Sequence, residues 1–318
     1  MDLNVDALIK YVKDGVELFK PALSTVVGAL MTVMFLRRNT ETTEFEKIKK
    51  GHFEQVIEDL YKNNLITNLE IARCKNFIQV ARLAEKIQHE KGQTRPKGYT
   101  VNDEEQAFDF DWFLRFFDAV GNISNADMQV LWASVLAGEV EVPGSFSLRT
   151  IETLRNMTKQ EAMLFKKIAK MALIDVSSRS IVVLTPKFVG KSDFDASFHL
   201  ALKEFLVLFD CGILNPQSVT NFDLDYALCN DNVLLKLRNI GEVNESFKYN
   251  YYTLTQAAIQ LLSVVDEFAS NQYILELGAI LKKKYRPQLE VNVFKILESS
   301  GDKFVIDDEV DLLNNYAN

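Results

Sequence analysis

Cysteine, histidine, proline and glycine are all scarce in this chain of 318 residues, and each scarcity closes off a class of explanation. Its cysteines, Cys74, Cys211 and Cys229, are odd in number and widely spaced. They build neither a disulfide framework nor a zinc site, and they point to a reducing cytoplasm for the body of the protein. Only His52, His89 and His199 stand beside them, so metal binding through nitrogen and sulfur is not expected. Six prolines and thirteen glycines favour helices over a turn-rich β architecture. Positive charge is also in deficit: a net charge of −8 argues against a duplex-DNA binder, which must neutralise many phosphates. It leaves room for a local basic pocket that takes a short oligonucleotide.

Catalytic signatures are missing too. The chain has no GxSxG, HExxH, GxGxxG or CxxC. Gly190-Lys191-Ser192 has the ending of a P-loop, but the first glycine of that motif is replaced by Thr185. Asp109, Asp111 and Asp118 are spaced to cap an aromatic helix and face water rather than to hold a metal. No catalytic residue, metal or cofactor is expected.

What is present is globular: 47% of residues are hydrophobic and 25% charged, enough for a sizeable core. The N-terminal part, 1–42, contains the uncharged run Pro21 to Leu36, closed by Arg37-Arg38. As a helix it would cover roughly 24 Å of a hydrocarbon layer about 30 Å thick, which is marginal for spanning. The acidic stretch before it is wrong for a secretory signal, and the arginine pair favours a cytoplasmic body. Thr25, Gly28, Ala29 and Thr32 form a stripe of small residues at helical spacing, which suits close helix association and a narrow pore. The competing reading of the same run is a helix buried in a soluble core.

Residues 43–91 carry apolar positions at threes and fours and predict a helical hairpin, broken at Asn63-Asn64 with Thr67 or Asn68 capping its second helix. Residues 92–102 read as a linker. The body, 103–318, is the expected sensor or regulatory part. Asp111 opens an aromatic helix with Trp112, Phe113, Phe116 and Phe117; Asn122 or Ser124 caps the next, whose buried face includes Trp132; and Thr158 with Glu161 makes a capping box. Between them the turn Glu141 to Thr150 sets Ser145, Ser147, Arg149 and Thr150 where a loop meets a helix N-terminus. Hydroxyls, amides and a guanidinium there are candidates for holding a phosphate, against local capping as the plainer alternative.

The strings LWASVLAGE, PGSFSLRT and NMTKQEAMLF resemble a bacterial family of unknown function defined by this block. They are more distantly similar to the Abi-alpha proteins of abortive infection. The resemblance implies a phage-defence setting, and the layout of a short N-terminal membrane segment with a nucleotide-sensing body is similar to that of the Hailong membrane effectors. It supplies no catalytic residue.

Further on, IDVSSRSIVVL predicts a hairpin around Ser-Ser-Arg-Ser, and FHLALKEFLVLFDCGILNP a helix ending at Gly212. Lys248 to Leu254 alternates like an edge strand, and Leu254-Thr255 opens another helix. That order resembles a winged-helix-like C-terminal part. Lys248 and Tyr251 on the strand, with Lys283 and Arg286 in a basic cluster, are candidates for stacking and phosphate contacts, with a solvated surface as the alternative. The acidic C-terminus is expected to be peripheral, with FVID able to add a strand.

The expected fold class is therefore mostly α: an N-terminal membrane helix, a helical hairpin, and an α+β body with a winged-helix-like end. The expected function is an anti-phage membrane effector of the bacterial inner membrane. It would be a homo-oligomeric small pore gated by a nucleotide or short oligonucleotide, with no duplex DNA as partner. The alternative is a soluble adaptor or nucleic-acid-binding regulator. An enzyme ranks third, because no carboxylate or histidine cluster can be assembled for it.

Overall fold

Helices begin in this chain where a side chain can accept the first unpaired amides. The computed structural model describes residues 61–62, 67–93, 110–184, 198, 200–217, 219–221, 225–241, 249–265, 268, 270–285, 287–300 and 303–316, and the chain divides into two compact units, Met1–Arg155 and Asn156–Asn318.

In the first unit, α1 (Asn68–Gln93) starts at Thr67, whose hydroxyl accepts from the Glu70 amide at 3.3 Å while the Glu70 carboxylate takes the Thr67 amide at 2.7 Å. This is the capping box that the spacing allows. The first helix of the predicted hairpin lies outside the described residues. Then come α2 (Phe110–Gly121), α3 (Ala126–Glu141), capped by the Asn125 side chain, and α4 (Leu148–Asn156). Helix α1 packs on α2 and α3 through buried Phe77, Val80, Ala81 and Ala84. Phe77 meets Phe113 and Phe117 edge-on, and Phe116 meets Trp132, so the aromatic helix is core, as large aromatics at helical spacing usually are.

The second unit opens with α5 (Lys159–Ala169), closed by the reciprocal capping box of Thr158 and Glu161. A hairpin follows, β1 (Leu173–Asp175) with β2 (Ile181–Leu184), then α6 (Leu202–Asp210). After them come β3 (Val219–Asn221), β4 (Asp225–Cys229), β5 (Val233–Asn239) and β6 (Tyr249–Thr253). The chain then forms α7 (Gln256–Leu262), α8 (Asn271–Lys284), β7 (Leu289–Ser300), β8 (Lys303–Asp307) and α9 (Leu313–Tyr316). All eight strands join one antiparallel sheet in the order β3-β6-β2-β1-β4-β5-β7-β8.

Helix α8 lies on one face of that sheet, over β7 and β5. Leu235 and Leu237 stand opposite Val293 and Val291 there, and all four are buried. The approach is close enough that a methyl group on Gly278 would sit 2.9 Å from Val293 Cγ2, so only glycine fits.

The fold class expected from the sequence is corrected on two counts. The C-terminal part is an eight-stranded antiparallel sheet with helices packed on it, so neither "mostly α" nor "winged-helix-like" describes it. The strands β4 and β5 escape the pattern because consecutive apolar residues, Leu228-Cys229 and Leu234-Leu235, are buried on opposite faces, which blurs the two-residue alternation. Lys248 to Leu254 is no edge strand: β6 is paired on both sides, with β2 and β3. The second correction concerns the membrane. No helix among the described residues is long and apolar enough to cross one, so the N-terminal membrane helix is not part of the described fold. The shortfall of the uncharged run against the hydrocarbon thickness already counted against it. The run itself, with Thr25, Gly28, Ala29 and Thr32, lies outside the described residues.

Candidate functional site

The turn between α3 and α4 is built around a buried carboxylate. Glu139, 2% exposed, accepts the Gly144 amide at 2.6 Å through Oε1 and the Phe146 amide at 2.9 Å through Oε2. Gly144 holds φ at +84°, the left-handed conformation that lets the chain fold back over that carboxylate. Phe146 is buried with its ring against Gly138, where an added methyl group would lie 2.8 Å from Cε2. The Phe146 carbonyl accepts from the Trp112 indole at 2.6 Å, tying the turn to α2. Gly138 and Gly144 of the block, with Trp112 of α2, thus support the turn.

The four candidate phosphate ligands do come together here, but their polar groups are engaged locally. The Ser145 hydroxyl donates to the Val142 carbonyl. Ser147 caps α4: its hydroxyl accepts from the Thr150 amide at 3.3 Å and lies 3.0 Å from the Thr150 hydroxyl. Thr150 is fully buried, whereas Arg149 is exposed. Two amides of the turn, those of Gly144 and Phe146, are thus held by the chain's own Glu139. Backbone amides that hold one anion are not available to a second.

Of the second group of candidates only Tyr251 and Lys283 lie among the described residues. Tyr251 is buried, and its neighbour Tyr252 packs against Phe205 and Phe209 of α6, so β6 offers no exposed stacking platform at these positions. Lys283 is exposed at the end of α8, while adjacent Lys282 reaches Asp311 at 3.4 Å. Lys248 and Arg286 lie outside the described residues.

Two further acidic side chains organise the second unit. Asp175, 1% exposed, accepts from the amides and hydroxyls of Ser177 and Ser178 at 2.7–3.3 Å and so closes the β1–β2 turn, with Arg179 at φ +60°. Burial pushes its carboxyl up, but those donors outweigh burial and hold it below the usual carboxylate range. Asp311 accepts from the Val293 and Leu313 amides, Asn292 and Lys282. It too is held low, against the same effect of burial. Among the described residues no cluster of His, Cys, Asp or Glu has metal-site geometry; Asp118 pairs with Arg155 at 3.1 Å and Arg73 at 3.9 Å.

The other face of the sheet carries a second apolar cluster. Cys229, Leu234 and Ile296 form a small core there, surrounded by Ile174, Val176, Ala227, Phe294, Phe304 and Ile306, all only partly buried. At one border Asp225, Arg238 and Glu290 make a ladder of exposed ion pairs across β4, β5 and β7 at 3.8–3.9 Å. The sequence marks β1 as a hairpin strand and FVID as a possible strand, but β4, β5 and β7, which carry the rest of these residues, are not announced by it.

A family model described as "Protein of unknown function (DUF2806)" matches residues 98–278, more than half of the chain. The chain belongs to that family. The DUF2806 match takes in the α3–α4 turn and the sheet as far as β6, and stops before β7 and β8. No curated protein and no solved structure matches.

Proposed function

We propose that this DUF2806 protein is a non-catalytic adaptor that engages a partner protein through the partly open apolar face of its sheet. One observation carries this reading: Ile174, Val176, Ala227, Phe294, Phe304 and Ile306 make a contiguous apolar surface that the fold leaves half covered. Contiguous apolar surface of that kind marks protein interaction sites, while scattered apolar residues do not. The bordering charge ladder is the polar rim such a site needs. The similarity of the LWASVLAGE and PGSFSLRT strings to abortive-infection proteins supports phage defence as the setting.

The pore gated by a nucleotide or short oligonucleotide is less well supported, because the turn at Ser145, Ser147 and Thr150 is filled by Glu139. That difference favours the adaptor.

Capture from lysates of phage-infected cells on immobilised full chain, with mass spectrometry of the retained proteins, tests the reading. A retained partner is expected to be lost with Phe294→Lys and kept with Phe294→Leu, at unchanged circular dichroism. Equal retention by both variants refutes it.

A further inference from the structure

Strand β8 is the last in the sheet order, so one side of Lys303–Asp307 pairs with β7 and the other side has no partner strand among the described residues. Its sequence, KFVID, has no proline and an uncharged centre, and Val305 at the midpoint is 51% exposed. Edges are usually protected by proline, by a bulge or by a charge at the centre; the bulge of this pair, between Ile296 and Glu298, lies in β7, and the apolar middle of β8 is a template for another strand. We infer that β8 pairs antiparallel with β8 of a second copy of this chain, the two-fold axis passing through Val305.

The strand's own sequence selects this partner and this register. Pairing about Val305 sets position 303 opposite 307, 304 opposite 306, and Val305 opposite itself. A lysine then faces an aspartate at both ends of the ribbon, and a phenylalanine faces an isoleucine on both flanks of the axis. Opposite charges and apolar pairs directly across antiparallel strands are the stabilising combinations. Moving the axis to Phe304 sets the lysine against Val305 and leaves Asp307 facing Gly301. Moving it to Ile306 sets Asp307 against Val305 and Asp308 against Phe304. Beyond the five residues the next pair is Asp302 with Asp308, like charges that stop the ribbon from lengthening. A self-complementary strand of this kind fits the isologous contact of a two-fold dimer.

Residues two apart on a strand share a face, so Phe304 and Ile306 of both copies fall on the same side. The half-covered apolar face then runs unbroken from one sheet into the other. The pairing depends on the adaptor reading only for its use, and the two can fail separately.

Sedimentation velocity of the full chain over a concentration series tests the pairing, and a monomer–dimer equilibrium is expected. Lys303→Asp puts like charges opposite each other at both ends and weakens the dimer by about tenfold or more. Asp307→Lys does the same, and the double variant Lys303→Asp with Asp307→Lys restores association, a rescue that a folding defect cannot produce. Val305→Lys sets two lysines together on the axis and gives a monomer with unchanged circular dichroism. A chain that is monomeric at every concentration, or a dimer indifferent to Lys303→Asp and Val305→Lys, overturns the pairing. A monomer that still captures a partner through Phe294 overturns the pairing alone; a dimer that captures none overturns the adaptor reading alone.

Discussion

The α3–α4 turn and the outer end of the sheet differ in the opposite way from what their sequences suggest. The turn is rich in serine, threonine and arginine and looks made for a ligand, yet its amides close on Glu139 and its hydroxyls on their own helix cap. The outer strands look like ordinary alternating segments, yet they leave Phe294, Phe304 and Ile306 half covered. A polar group signals function only when it still has bonding capacity to offer. An apolar one signals function when its burial is incomplete. By that measure the half-buried sheet face is the stronger candidate and the turn the weaker one.

The most forceful test of that contrast is Glu139→Ala. It removes two charge-assisted bonds and leaves the amides of Gly144 and Phe146 buried without acceptors, so unfolding free energy in urea should fall by about 3 kcal/mol. At the outer end, Phe304→Lys should cost under about 1 kcal/mol in the same assay, since the residue is only partly buried. Equal losses at the two places would erase the distinction. Next in size is an acid effect. Asp175 and Asp311 are both held below the ordinary aspartate value of 3.8, so each stabilises the fold above that pH, and the contribution disappears as pH falls through the lowered folded values. Asp311→Asn should therefore destabilise at pH 7 and make the remaining stability less dependent on pH below about 4. A denaturation series with the parent beside it reads both.

Smaller still is Ser147→Ala, which deletes the cap of α4 and should cost about 1 kcal/mol. Smallest is Arg149→Ala, at an exposed side chain, with an expected change within about 0.5 kcal/mol. If Arg149→Ala instead abolished binding of inorganic phosphate measured by calorimetry, the turn would be a ligand site after all, and the comparison would reverse.

Local chemistry is legible at most caps and turns, although the cap of α3 is Asn125 rather than Asn122 or Ser124. Thr67, Thr158 with Glu161, and Thr255 start helices as their spacing predicts, and Ser-Ser-Arg-Ser turns β1 into β2. In those cases the deciding bonds run between residues close in sequence. Long-range pairing was not legible. Val233–Asn239 has buried residues pointing to both faces, because Leu235 packs under α8 while Leu234 meets Cys229 and Phe294. Tyr251 was misplaced for the same reason: a strand taken for an edge has a second neighbour that no local pattern announces. At the candidate turn the residues were recognised but their partner was not. Glu139 accepts main-chain amides five and seven residues ahead, a role that its charge alone does not announce.

Cys74, Cys211 and Cys229 are held up to about 11 chiefly by burial. At neutral pH roughly one native thiol in ten thousand is then ionised, so alkylating probes find little to react with. The natural chain is chemically quiet enough to serve as its own blank, and a single cysteine introduced at an exposed position would carry a spectroscopic label almost alone.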